Sequence, residues 1–251
     1  MLNVIIPMAG ISKIADDLEY PYPSPLIEIN GRPLIQLVIE NIKSLASNIN
    51  FIVILREDDC RRFHLDSTIQ LLTSKDIKIV RLKQETAGAL CSTLLAVDYF
   101  STDEPLLITN SDQLFENNSL SKIMTEINRI SPDAACPIIE SVHPRWSYAR
   151  IIDNNIIETA EKNPISCNAI PGFYYFKSGF QFANLAMRTI INGRHTEGRY
   201  YTSAVLNEYI LENLNVCAIP ICNDDYVSFF TAQRVLDYER RSTKDNKYGL
   251  V

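Results

Sequence analysis

The sequence predicts an α/β protein with a mostly parallel central sheet, helices on both faces and a small β-rich region in its second half. Short apolar runs alternate with helix-period patterns through the first half of the chain, which favours parallel strands joined by helical crossovers. Beyond about residue 150 the pattern shifts to a hairpin and an aromatic strand. A chain of 251 residues, 46% of them hydrophobic and 22% charged, suits one large domain with a sizeable core.

The elements follow in order. Val4-Ile5-Ile6 is a β-rich opening run. Residues 33–46 place Leu34, Val38, Ile42 and Leu45 at helical spacing, with Pro33 at the helix entrance. Residues 51–55 read as a buried strand, followed by an amphipathic stretch to Leu72, and 77–80 as another strand. Residues 89–100 are helical in pattern and 105–109 form a strand. A hairpin is expected over 151–157 around an Asn-rich turn, and an aromatic strand over 172–176. Helices are expected over 180–191, 203–211 and 231–240. With no repeat or linker in sight, residues 1–240 read as a single domain and 241–251 as a loose polar tail.

Composition excludes several classes. The net charge is −6 and no Lys/Arg-rich run occurs, which argues against nucleic acid. No apolar stretch reaches the roughly 18 residues that span a bilayer. The apolar start lacks a basic segment and a cleavage site, so it reads as a strand, not a leader. Six cysteines without C-x-x-C spacing read as free, mostly packed thiols in a reducing cytoplasm. Self-association into a homo-oligomer is left open.

Three segments carry candidate chemistry. Pro7-Met8-Ala9-Gly10-Ile11-Ser12-Lys13 is a small-residue loop after the first strand, able to wrap phosphates with backbone N–H groups; taken alone, a plain turn is the favoured reading. Asp112, in Asn110-Ser111-Asp112-Gln113, stands where a strand ends. One carboxylate there suits a Mg2+ otherwise held by phosphates and water, and a turn cap is the alternative. Glu161-Lys162, after the hairpin, pairs a hydroxyl acceptor with a point charge for phosphate; a solvated strand end is the plain alternative. Pro25-Leu26-Ile27-Glu28-Ile29-Asn30-Gly31-Arg32-Pro33-Leu34-Ile35-Gln36 and His143-Pro144-Arg145-Trp146-Ser147-Tyr148-Ala149 complete the set.

Taken together and in this order, these segments resemble the sugar-phosphate nucleotidyltransferases, in particular the glucose-1-phosphate thymidylyltransferase-like subgroup of capsule and surface-polysaccharide pathways. The resemblance covers Val4 to about Leu236. It implies a Rossmann-like, GT-A-type fold. It implies a nucleoside triphosphate and a sugar phosphate or similar small phosphate as partners. It places Ala9 and Gly10 at the nucleotide phosphates, Gln84 and Gly88 near the base, and Asp112 at Mg2+. Glu161, Lys162 and Gly172 fall around the acceptor. The family reaction is attack of the acceptor phosphate on the α-phosphorus with loss of pyrophosphate, which needs alignment and charge neutralisation and no protein nucleophile.

The chain departs from the family pattern where phosphate charge is handled. The G-x-G-x-R loop is one residue short, with Lys13 where arginine is expected. The P-K-P lysine is Ser24, and a C-terminal G-T-P-E stretch is Phe230-Thr231-Ala232-Gln233. Two missing transition-state donors, at about 10²–10³ each, would take a typical turnover near 10 s⁻¹ to about 10⁻³ s⁻¹ or below. Two readings therefore stand side by side. One is a nucleotidyltransferase with a reworked loop, in which Lys13, Asp112 and Lys162 serve catalysis. The other is a silent homologue that binds a phosphorylated metabolite or acts as a partner or regulatory subunit. A GT-A glycosyltransferase ranks third, because Asn110-Ser111-Asp112 offers one carboxylate where D-x-D has two, and Asp224-Asp225 is a poorly placed second source.

Overall fold

A computed structural model describes residues 1–10, 14–73 and 76–247. The strands are β1 (Leu2–Pro7), β2 (Glu28–Ile29), β3 (Arg32–Pro33), β4 (Ile49–Arg56), β5 (Lys78–Leu82), β6 (Leu106–Thr109), β7 (Gln113–Phe115), β8 (Ala134–Glu140), β9 (Ser147–Ile152), β10 (Asn155–Glu161), β11 (Asn168–Ile170), β12 (Phe173–Phe176), β13 (Val216–Pro220) and β14 (Tyr226–Ser228). The helices are α1 (Ile14–Asp17), α2 (Leu34–Lys43), α3 (Glu57–Phe63), α4 (Leu65–Leu72), α5 (Ala89–Leu94), α6 (Val97–Phe100), α7 (Ser119–Ile130), α8 (Gly179–Ile191), α9 (Thr202–Leu211) and α10 (Ala232–Lys247).

A ten-stranded sheet runs in the order β11-β9-β10-β13-β8-β12-β6-β1-β4-β5. It is mixed, which corrects the expectation of a mostly parallel sheet. Strands β5, β4, β1 and β6 pair in parallel, as do β13 and β8. Strand β12 enters antiparallel between β6 and β8. The pairings of β9, β10 and β11 are antiparallel as well, and β9 and β10 are joined by a hairpin turn too short for a crossover helix. The additional β11–β8 pairing closes β8, β13, β10, β9 and β11 into a small barrel at one end of the sheet.

Helices do cover both faces. Successive side chains of a strand point to opposite sides, and here they enter two separate cores. Val4 and Ile6 of β1, with Phe51, Val53 and Leu55 of β4, pack beneath α2, α4 and α7. Ile5, Ile52 and Ile54 face the other way, toward α5, α8 and α9. This double burial explains why β1 and β4 read as unbroken apolar runs and not as alternating ones. Each such Ile or Val, at 0% exposure, is worth roughly 1.5–3 kcal/mol.

Other expectations shift locally. The single helix expected over residues 89–100 is broken: Leu95 and Ala96 turn through i→i−3 bonds to Ser92 and Thr93, separating α5 from α6. Helix α10 runs past residue 240 to Lys247, so residues 241–247 are helical and not a loose tail. Arg241 supports that extension by pairing with Glu116. Asn30 and Gly31, both at positive φ, make the β2–β3 turn, and Asp153 and Asn154 make the β9–β10 turn.

Helix α9 is fixed to α8 through a buried acid. The Glu208 side chain is 1% exposed, 3.7 Å from Arg188 and 3.5 Å from Arg194, and accepts from Asn192 Nδ2 at 3.3 Å. No helix among the described residues is long and apolar enough to cross a membrane.

Candidate active site

The parallel half of the sheet brings the carboxyl ends of β1, β4, β5 and β6 to one edge. That edge carries Met8–Gly10, Arg56, the 83–88 loop and Asn110–Asp112. Strand β12 is antiparallel, so its amino end joins them, with Phe173 opposite Thr109. Ligands bind at such edges because the following loops converge there.

Glu161 anchors the β-rich side. It is half-buried and accepts from Ser147 Oγ and, at 2.9 Å, from Ser203 Oγ at the start of α9. Tyr174 OH lies 3.3 Å from Ser147 Oγ, extending the network into the core. Burial pushes the Glu161 carboxyl above the usual carboxylate range, while the two serine hydroxyls and Lys162 pull it back. The carboxylate is thus held in one orientation by donors, with capacity left to accept from a ligand hydroxyl.

Lys162 is exposed and sits at φ 55°, an uncommon conformation for a side-chain-bearing residue. Its N–H donates to Trp146 O at 2.9 Å, which holds the backbone there. Its ammonium is 3.8 Å from Glu197 and 5.2 Å from the Tyr201 ring centroid. The Tyr201 hydroxyl raises its pKa most, against the downward push of burial, with Glu197 and Glu161 adding to the rise. Lys162→Ala is expected to weaken binding of a sugar phosphate about tenfold. It should leave stability within about 0.5 kcal/mol of wild type, because alanine keeps the same backbone and the lost ion pair is solvated. Calorimetric titration with thermal melts checks both halves, and equal affinity in the variant would remove Lys162 from the site.

Gly88 is fixed by close backbone approach and Gly172 by the side chain of Asn110. A Cβ on Gly172, at φ +64°, would fall 2.1 Å from Asn110 Nδ2. The Gly172 carbonyl accepts from Asn110 N at 3.0 Å and Gln113 Nε2 at 3.1 Å. A Cβ on Gly88, at φ +117°, would fall 2.3 Å from Tyr200 O. Tyr200 N donates to Ala87 O at 2.7 Å, tying the 83–88 loop to Tyr201, the neighbour of Lys162. Both glycines join loops of the site. Ala9 and Gln84 meet in a shallow cleft of about 110 Å³ whose wall also holds Arg56, Asp58, Lys83 and Glu85. Gly10 is exposed beside it. Lys13 lies outside the described residues.

Asp112 follows β6 and opens the β7–β14 ribbon, where its carbonyl accepts from Phe229 N at 2.7 Å. Burial raises its carboxyl above the usual range, opposed by its own N–H and by the Arg145 charge. It takes part in none of the ion pairs formed among the described residues. Asp225 lies at the far end of the ribbon, where Asn117 Nδ2 donates to it at 2.7 Å, so it is not a second ligand beside Asp112. No group of three His, Cys, Asp or Glu side chains that could hold a metal occurs among the described residues. A half-buried carboxylate that forms no ion pair fits a Mg2+ that keeps phosphate and water as its other ligands, and not a protein-only cage.

No family model matches the chain. It is similar to the bifunctional protein GlmU of Methanocaldococcus jannaschii, 29% identical over 180 residues, covering 70% of this chain and 40% of that protein. GlmU of Thermodesulfovibrio yellowstonii is 23% identical over 255 residues, covering 97% of this chain and 52% of that protein. The chain thus spans about half the length, or less, of these curated relatives. Among solved structures, a nucleoside-diphosphate-sugar pyrophosphorylase from Vibrio cholerae RC9 superposes with a TM-score of 0.78 at 21% identity, covering 94% of this chain and 99% of that one. The fold is that of the sugar-nucleotide pyrophosphorylases. A UDP-glucose pyrophosphorylase complexed with UDP-glucose shares the same pyrophosphorylase fold, with a TM-score of 0.75 at 13% identity over 98% of this chain and 99% of that one. Together these likenesses show the fold.

Other residues lie beside the expected ones: Ser147, Tyr174, Ser203 and Tyr201 supply hydroxyls near Glu161 and Lys162, and Arg56 and Lys83 supply cations at the cleft. Arg56 had a signal, since it directly follows the apolar run of β4 at the ligand edge. Ser203 had none, because it reaches Glu161 only through the packing of α9 on β10.

Proposed function

We propose that the chain is a nucleotidyltransferase that moves a nucleoside monophosphate from a nucleoside triphosphate to a sugar phosphate or similar small phosphate. The reading is supported by a pyrophosphorylase fold whose Ala9–Gln84 cleft and Asp112 both follow the carboxyl ends of parallel strands, with Lys162 packed on Tyr201 beside the Tyr200–Ala87 bond. An acceptor phosphate oxygen attacks the α-phosphorus, the bond to the β-phosphate oxygen breaks, and pyrophosphate leaves. Lys162 holds the acceptor phosphate and Glu161 accepts from an acceptor hydroxyl. Ala9 and Gly10 offer backbone N–H groups to the triphosphate, with Gln84 and Gly88 bordering the base. Mg2+, when bound with Asp112 as its protein ligand, would neutralise triphosphate charge. The product would be an activated sugar of the kind that capsule and surface-polysaccharide assembly consumes.

A second reading, a silent homologue that binds a phosphorylated metabolite or serves as a partner or regulatory subunit, draws on Ser24 and on the single carboxylate at Asp112. A thermal-shift panel separates the two. Transfer predicts stabilisation by both a triphosphate with Mg2+ and an acceptor phosphate, about 2.7 kcal/mol at 100 times Kd. A silent metabolite binder responds to the acceptor alone.

Ser24 gives a direct handle on the phosphate charge. It opens a short 3₁₀ turn, Ser24–Leu26, between Pro23 at φ −56° and Pro25, and its carbonyl accepts from Ile27 N at 3.1 Å. Tyr22 meets Phe63 of α3 edge-on at 6.2 Å, which sets the turn on the flank that carries Arg56 and Asp58. The backbone is fixed without the side chain. Ser24→Lys is therefore expected to tighten triphosphate binding about tenfold at low salt, with the gain shrinking as salt is added. Unchanged affinity at low salt would place residue 24 away from the phosphates.

A further inference from the structure

Asn110, Ser111 and Asp112 bridge the end of β6 to the start of β7, and one buried amide closes that bridge. Gln113 is 2% exposed. Its Nε2 donates to Thr109 Oγ1 at 3.0 Å, from one end of the Asp112 loop to the other. The same Nε2 donates to Gly172 O at 3.1 Å, and Oε1 accepts from Tyr226 OH at 3.0 Å. The Gly172 carbonyl can only accept, which fixes the orientation of the amide. Both of its N–H groups and its carbonyl oxygen are engaged, as a buried amide requires.

The three partners come from different parts of the molecule. Thr109 ends β6 and is itself buried. Gly172 leads into β12, and its carbonyl also accepts from Asn110 N at 3.0 Å. Tyr226 opens β14 and meets Trp146 edge-on at 5.8 Å, while the Trp146 carbonyl accepts from Lys162 N at 2.9 Å. Gln113 therefore joins the Asp112 loop to Gly172 directly, and to the Lys162 segment through Tyr226 and Trp146. An apolar side chain of the same length would fill the space. A fully bonded amide also fixes distance and direction.

We propose that Gln113 is a positioning residue that sets the spacing between the Asp112 carboxylate and the acceptor-side residues Gly172 and Lys162. Its amide is consumed by protein partners, so it acts through the residues that it holds. What binds at those residues rests on the nucleotidyl-transfer reading. Transfer depends steeply on such spacing, since a misplacement of about 1 Å can cost about 10²-fold.

Two substitutions test the role, each studied below its melting temperature. Gln113→Met keeps the length and removes the bonds to Thr109, Gly172 and Tyr226. Gln113→Glu keeps an acceptor for Tyr226 but loses both N–H groups when ionised; protonated, it donates one bond again, and burial favours that form. The probes are each nucleoside triphosphate with Mg2+ and a panel of sugar and polyol phosphates. Each ligand alone should bind Gln113→Met within about threefold of its wild-type affinity, while kcat falls about 10–100-fold. Gln113→Glu should be slow at neutral pH and recover toward wild type as pH is lowered, a profile that a packing role would not give. Wild-type kcat in both variants, or affinities that fall in step with Tm, overturns the proposal and leaves the transfer reading standing. If wild type transfers to no acceptor, the transfer reading falls and binding decides the role. The factor by which an acceptor phosphate changes triphosphate affinity in wild type should then move toward one in Gln113→Met. An unchanged factor, or none in wild type, overturns the positioning role as well.

Discussion

Asp112→Asn is expected to abolish the Mg2+-dependent part of triphosphate binding and to lower pyrophosphate release about 10²–10³-fold. The substitution keeps the shape of the side chain and leaves the bond from Phe229 N to the residue-112 carbonyl untouched. What it removes is the one carboxylate at the end of β6. Asparagine is also neutral, so it escapes the burial penalty that raises the Asp112 carboxyl. Thermal stability should therefore not fall, and a loss of binding would be specific to the metal and its phosphates. Titration of a triphosphate with and without Mg2+ reads the effect. If the Mg2+ increment is the same in Asp112→Asn and wild type, Asp112 is not the metal residue.

The double replacement of Arg188 and Arg194 by alanine is expected to destabilise the protein by about 3–5 kcal/mol, lowering Tm by about 10 °C. Both arginines are about half exposed, while the Glu208 side chain is 1% exposed. Removing them leaves a buried negative charge with only Asn192 as donor. Adding Glu208→Gln to the pair should recover most of the loss, because a neutral amide costs far less to bury than an unpaired carboxylate. A rescue confirms that charge, and not arginine packing, sets the cost; absence of rescue contradicts it. Helix α9 is the element at stake, and its first turn delivers Ser203 to Glu161. Loosening α9 should therefore weaken acceptor binding too.

Much of the parallel half of the fold was legible in the sequence. β1, β4 and β6 are short apolar runs buried on both faces, a pattern that burial between two helical layers imposes. The hairpin turn at Asp153 and Asn154 was legible because those residues tolerate positive φ. Helix α7 was not assigned from sequence, although Leu120, Ile123 and Ile127, buried on one face, carry the same spacing signal as α2. The β8–β13 pair is harder to read. Pro137 sits inside β8 and argues against a strand, yet Pro137 pairs in register with Ile219. The antiparallel insertion of β12 and the barrel closure through β11 depend on contacts between distant segments, which no local pattern encodes.

The candidate site divides in the same way. Asp112 and Glu161 were legible from their places at strand ends. Their partners were not: Ser203 lies 42 residues from Glu161 in sequence. Arg145 and Trp146 belong to a segment that the sequence marks, yet their contacts with Phe230 and Tyr226 are brought about by the β7–β14 ribbon. The gap left by Ser24 was plain in the sequence, whereas the cations now standing near the cleft required the fold.

The central claim, nucleotidyl transfer to a small phosphate, is tested most directly by product analysis. Wild-type protein with Mg2+, each nucleoside triphosphate and a panel of sugar and polyol phosphates would be assayed for pyrophosphate, with mass analysis of the organic product. The account predicts slow but acceptor-dependent pyrophosphate release, with one nucleoside monophosphate added to the acceptor for each pyrophosphate formed. Binding of triphosphate and acceptor with no pyrophosphate from any pair, or release of a nucleoside diphosphate in its place, would contradict it.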